Sequence, residues 1–106
     1  MDVQLKRGLL EICVLAAIRD EESYGYRIIK EIQPYMEISE STLYPILRRL
    51  EEGGALTVHS VEHNGRLRKY YGITDAGSER LKHFLSEWDE IIKVYRFIAG
   101  EVKNND

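Results

Sequence analysis

The chain has 106 residues, 43% of them hydrophobic and 31% charged, with a net charge of −3 at neutral pH. That is the composition of one small globular domain with a modest core, and it excludes a chain that coats nucleic acid by bulk positive charge. No apolar run nears the roughly 18 residues that span a bilayer, and a lone Cys13 excludes an internal disulfide. The opening "MDVQLKRGLLEICVLAAIRDEESYG" has acids at Asp2 and Glu11 and no small-residue cleavage site, so no signal peptide is expected. A reduced thiol fits a cytoplasmic location.

Charge is unevenly spread. Residues 1–47 carry a net −3, residues 48–73 a net +2 and residues 74–106 a net −2. A basic patch on an acidic body is compatible with DNA binding, because the local field is what a phosphate meets.

In chain order, the spacing predicts a first helix over Gln4–Arg19, apolar on most sides after Gly8 and hence central, with Cys13 a buried and inert thiol. Ser23 is the expected N-cap of a second helix, "YGYRIIKEIQ", whose buried stripe is Ile28, Ile29 and Ile32 and which ends before Pro34. Ser39 is the next N-cap, opening "SESTLYPILRRLEEGG", with Gly53 or Gly54 ending that helix in the left-handed conformation. Its apolar residues Leu43, Ile46, Leu47 and Leu50 follow the i, i+3, i+4, i+7 rule. Stepping about 100° per residue from Leu43 at zero places those four within about 60° of zero, and Ser41, Pro45, Arg48 and Glu52 between about 140° and 200°. Pro45 therefore lies on the outward face. Its missing N–H falls near the helix start, where the loss is least costly. It is either an interior residue of the helix or the first helical residue proper.

After the glycines the period drops to two. "ALTVHSV" and "RLRKYYGI" read as strands joined at Asn64-Gly65, the favoured pair for a type I′ hairpin turn. With that turn, Leu56 faces Ile73 and Val58 faces Tyr71 on an apolar side. His59 faces Tyr70 and Val61 faces Arg68 on the other. Tyr71 is expected in the core and Tyr70 partly exposed. Thr74 then caps a last helix of about 25 residues, roughly 38 Å long. Its Leu81, Leu85, Trp88, Ile92, Tyr95 and Ala99 form an a/d pattern, widened by Phe84, Ile91 and Ile98. The body cannot cover so long a stripe, and the same helix of a second copy is the expected partner.

Helix–helix–helix–hairpin–helix, with a short turn before a basic-faced third helix, describes a mainly α winged helix-turn-helix. "YGYRIIKEI", "SESTLYPILRRLEEGG", "RKYYGIT" and "DAGSERL" resemble, in order and spacing, the signature segments of the PadR family of transcriptional regulators. One departure is Ser41, where many members carry glycine. The resemblance implies a winged helix-turn-helix over residues 1–73 and a dimerisation helix with a short tail over 74–106. It also implies that Pro45 belongs inside the recognition helix.

On that reading the front of the third helix enters a major groove with its positive end toward phosphate. Ser39, Ser41 and Thr42 donate to phosphates, Tyr44 reaches the backbone, and Arg48 and Arg49 neutralise phosphate or bind guanine. The plain alternative for the two arginines is a solvated face salted by Glu51 and Glu52. Tyr24 reaches the flanking backbone; Tyr26 does the same or packs in the core. Asn64, Gly65, Arg66, Arg68 and Lys69 form a basic wing tip. Trp88 lies eleven residues after Gly77. Small PadR-like regulators include multidrug sensors with tryptophan at the matching place, which implies an aromatic or drug-like ligand at the dimer interface near Trp88, Phe84, Ile91 and Leu85. Plain dimer packing is the other reading of Trp88. His59, His63 and His83 have no metal-ligand spacing, and neither a cofactor site nor a nucleophile–base pair is readable, so catalysis is not expected.

The function so expected is a homodimeric, sequence-specific DNA-binding regulator, a repressor, on an inverted-repeat operator. The rival is a winged-helix adaptor whose basic patch meets an acidic protein.

Overall fold

The computed structural model describes residues 1–101; the end of the expected short tail, residues 102–106, lies outside the described residues. Helices α1 (Val3–Ala17), α2 (Gly25–Ile32) and α3 (Glu40–Glu52) precede an antiparallel hairpin, β1 (Leu56–His63) and β2 (Arg66–Ile73), and a last helix α4 (Asp75–Ile98). The chain is mainly helical with a hairpin wing. No helix among the described residues is long and apolar enough to cross a membrane.

The core forms where the three helical stripes meet one face of the hairpin. Leu10, Val14, Leu15 and Ile18 from α1 and its end pack with Ile28, Ile29 and Ile32 of α2 and with Leu43, Ile46, Leu47 and Leu50 of α3. Leu56 and Tyr71 close it from the wing, with Val58 and Ile73 beside them. Cys13 is half-buried, its Sγ 4.0 Å from Met36 Sδ, and burial pushes its thiol pKa up. The hairpin register pairs Leu56 with Ile73 through to His63 with Arg66, as the alternation requires. Asn64 at φ 50° and Gly65 at φ 77° make the turn in which both central residues are left-handed. After α3 the left-handed residue is Gly54, not Gly53.

Ser23 is not the cap of α2. Tyr24 holds that position in extended backbone, without a side-chain cap bond. Ser23 is fully buried, and its backbone exchanges two hydrogen bonds with Tyr71, N–H to Tyr71 O at 3.0 Å and O from Tyr71 N–H at 2.7 Å. The segment before α2 thus adds a one-residue third strand to the wing, and a capping serine would have to leave it.

Thr74 caps α4 as expected, accepting from Gly77 N–H at 3.1 Å, while its hydroxyl donates to Gly54 O at 2.6 Å. A Cβ at Gly77 would overlap the Ala55 carbonyl oxygen, so only glycine lets α4 start this close to the end of α3. The first turns of α4 therefore belong to the body. Leu81 is 4% exposed within the chain, which corrects its assignment to a dimer seam: its surface is already covered. Beyond it α4 projects, and the molecule measures 68 × 27 × 21 Å.

Candidate nucleic-acid interface

Tyr44 of α3, the start of α2 and the wing line one groove, and the outward face of α3 lies beside it. Leu43, Ile46, Leu47 and Leu50 are buried on the inner side, which turns Ser41, Pro45 and Arg48 to solvent. Pro45 lies inside the helix. Ser39 occupies the N-cap position, but its hydroxyl makes no backbone cap bond; it lies 3.0 Å from Ser41 Oγ and 3.3 Å from Thr42 Oγ1. Three exposed hydroxyls therefore cluster at the positive end of α3, where an anion is favoured.

Tyr44 leans from α3 toward the start of α2. Gly25 makes room for it, since a Cβ there would come within 2.7 Å of the Tyr44 hydroxyl. Tyr24, Tyr26 and Tyr44 then face Asn64, Arg66, Arg68 and Lys69 of the wing across a groove of about 980 Å³. Arg48 and Lys69 line a smaller cleft of about 110 Å³ between α3 and the wing. Two cations from different elements thus converge on one edge of the groove.

Three sequence-predicted residues stand differently. Arg49 turns back toward α1: its Nε and Nη2 both lie 3.1 Å from Glu11 Oε1. Arg80 of α4 holds the other Glu11 oxygen. Arg49 is about 100° round the helix from Arg48, which aims it at α1 and away from the groove. Arg68 is half-buried, its guanidinium 4.3 Å over the Tyr24 ring rather than free at the wing tip. Tyr26 is 62% exposed, which excludes the core reading and leaves it at the groove.

Sequence reasoning missed Glu11 and Gly25. Glu11 is a single acid inside the apolar run "LLEICVLAA", which was itself a signal. Its side chain is only 15% exposed, and a carboxylate so covered calls for partners.

A model of the transcriptional regulator PadR-like family matches residues 14–83. The chain belongs to this family. It is 32% identical over 79 residues, 74% of either chain, to the transcriptional regulator Rv3488 of Mycobacterium tuberculosis. It is similar to the solved PadR-like transcription factor of Bacteroides fragilis, at 32% identity and TM-score 0.81, covering 90% of this chain and 94% of that one. The solved protein smu.1704 of Streptococcus mutans is 38% identical with TM-score 0.79, over 93% and 94% of the two chains. The PadR fold is a winged helix, and PadR proteins are transcriptional regulators, not enzymes.

Proposed function

We propose that this PadR-family chain is a sequence-specific DNA-binding repressor that acts as a homodimer and is released by a small aromatic ligand. In this reading residues 1–73 meet DNA and residues 74–106 hold two copies together. The observation that carries it is the exposed row Ser41, Pro45 and Arg48 on α3, beside Lys69 of the wing. That row has the width of a helix face and the charge sign a major groove requires. Ser39, Ser41, Thr42 and the α3 dipole take phosphates, Tyr24 and Tyr44 border the backbone, and Arg66 and Lys69 extend contact along the adjoining groove. Pro45, the sixth residue of α3, forgoes one bond, to the Ser41 carbonyl, and its fixed φ stiffens the end that enters DNA.

Dimerisation is supported by the apolar side chains α4 leaves in solvent, among them Leu85, Ile91, Ile92 and Tyr95, with Ile98 74% exposed. A stripe of this kind marks an interaction surface. Trp88 is half-buried with its ring 5.9 Å from Phe84, an aromatic pair at the root of that stripe. Two such pairs brought together would suit a flat apolar ligand. A ligand that prefers one spacing of the two α3 helices shifts the dimer toward it and so changes DNA affinity.

Selection from a random-sequence duplex library, read by gel shift, is expected to return an inverted repeat with half-sites about one helical turn apart. Recovery of no preferred sequence, with binding insensitive to salt, would favour the protein-adaptor reading instead. Titrating a planar aromatic dye against the single tryptophan is expected to quench its fluorescence. No quenching up to the solubility of the dye removes ligand release from the proposal.

A further inference from the structure

The side of the hairpin turned away from the core is not simply solvated. His59 and Tyr70 stack with ring centres 6.0 Å apart, and Tyr24 meets Tyr70 edge-on at 5.7 Å. Arg68 lies over the other part of this assembly, its guanidinium carbon 4.3 Å from the Tyr24 ring centre, with that of Arg27 at 5.7 Å from the same ring. His59 Nε2 sits 3.4 Å from Glu22 Oε2. Side chains of β1 and β2 are thus laid against residues 22–24, immediately before α2.

Among the described residues, backbone hydrogen bonds join the wing to this segment through the Ser23–Tyr71 bridge. This bridge, the core residues Leu56 and Tyr71, and the His59 and Tyr70 side chains all hold the hairpin nearer its base than Arg68. Arg68 is three residues nearer the tip than Tyr71, roughly 10 Å along the strand, so its stack on Tyr24 supplies a second attachment, beyond these. Two attachments fix a direction. The direction they fix is that of the wing tip, with Arg66 and Lys69, relative to α3, the far wall of the same groove.

We propose that Arg68 is a positioning residue, whose stack on Tyr24 sets the angle between the wing and the recognition helix, and not a phosphate contact. This rests on the DNA-binding reading above. Arg66 and Lys69, both exposed, then carry the charge that neutralises phosphate. Tyr24 acts through the face of its ring rather than through its hydroxyl. Arginine is required because a planar guanidinium covers a ring face as a lysine ammonium does not.

The test is a salt series of binding to a random-sequence duplex by the intact chain and its variants, with thermal melts as a check on folding. Wild type is expected to show the steep negative log–log slope of counterion release. Arg66→Met should lower the magnitude of that slope by about 0.9, one phosphate's worth. Arg68→Met should weaken binding by about fivefold, the effect of losing an exposed cation–π contact, with the slope unchanged. Tyr24→Leu should match it, the double variant should be no weaker than either single one, and Tyr24→Phe, which keeps the ring face, should weaken binding less than Tyr24→Leu. A slope reduced by Arg68→Met as by Arg66→Met overturns the proposal, as does a loss in Tyr24→Phe equal to that in Tyr24→Leu. Should Arg68→Met melt below the assay temperature, Arg68→Lys serves: it keeps the charge, so weakened binding supports positioning and unchanged binding overturns it. Failure of the wild type to bind duplex overturns the DNA reading and this inference together, whereas the variant results strike this inference alone.

Discussion

Arg48 and Arg49 are sequence neighbours, yet a step of about 100° along α3 gives them different work. Arg48 stays in solvent beside Lys69, and Arg49 joins Arg80 on the carboxylate of Glu11. Their alanine variants should therefore separate binding from stability. Arg48→Ala is expected to weaken binding to the selected operator by about 1–3 kcal/mol, the usual worth of a base or phosphate contact, with an unchanged melting temperature. Arg49→Ala is expected to lower stability by about 0.5–1 kcal/mol, discounted because the guanidinium is nearly half-exposed, and to leave DNA affinity close to wild type. Gel shift and urea titration read the two. Loss of binding in Arg49→Ala with wild-type stability would return that residue to the interface.

At the scale of elements, the joints determine where the site's parts sit. The wing leaves α3 through Gly54, turns at Asn64-Gly65 and delivers the chain to α4 at Thr74, whose hydroxyl ties back to Gly54. Gly77 admits the first turn of α4 against the Ala55 carbonyl. Gly77→Ala should therefore force a shift between α4 and the body and cost about 1–3 kcal/mol, as overpacking does. Denaturant unfolding checks it, and a variant as stable as wild type would show that α4 docks more loosely. Gly65→Val places a β-branched residue at φ 77°. It is expected to destabilise by about 1–2 kcal/mol and to weaken DNA binding through the displaced wing tip. The hairpin register was legible in the sequence, because alternation and an Asn-Gly turn admit one register, although β1 runs two residues past the predicted Val61. The Ser23–Tyr71 bridge was not, since a single residue carries no period.

For the whole molecule, the decisive feature is the division of α4 between two environments. Up to Leu81 it is part of the core; from Leu85 onward its apolar side chains, the half-buried Trp88 apart, lie in solvent. A 68 Å long axis against 27 and 21 Å in the other directions reflects that projection. Burying such a stripe against a second copy would place two recognition faces on one rigid body, and two linked contacts bind far more tightly than either alone. Ile92→Glu should then give a folded monomer by sedimentation equilibrium, with operator binding lowered by about 100-fold. A variant that sediments as wild type would remove α4 from the dimer. The a/d spacing made this stripe readable in the sequence, but its starting point was set one heptad position too early, at Leu81.

What the sequence determined by itself is everything carried by a local period: the helix faces, the hairpin register, the outward placement of Pro45 and Arg48, and the apolar stripe of α4. Periodicity fixes which way a side chain points relative to its neighbours along the chain. Tertiary structure alone decided what each side chain meets on other elements. Glu11 reaches Arg49 across 38 residues and Arg80 across 69, Ser23 pairs with Tyr71, and Arg68 lies on Tyr24. Each partner is chosen by how whole elements pack, where burial of the shared core outweighs the preference of any one polar pair.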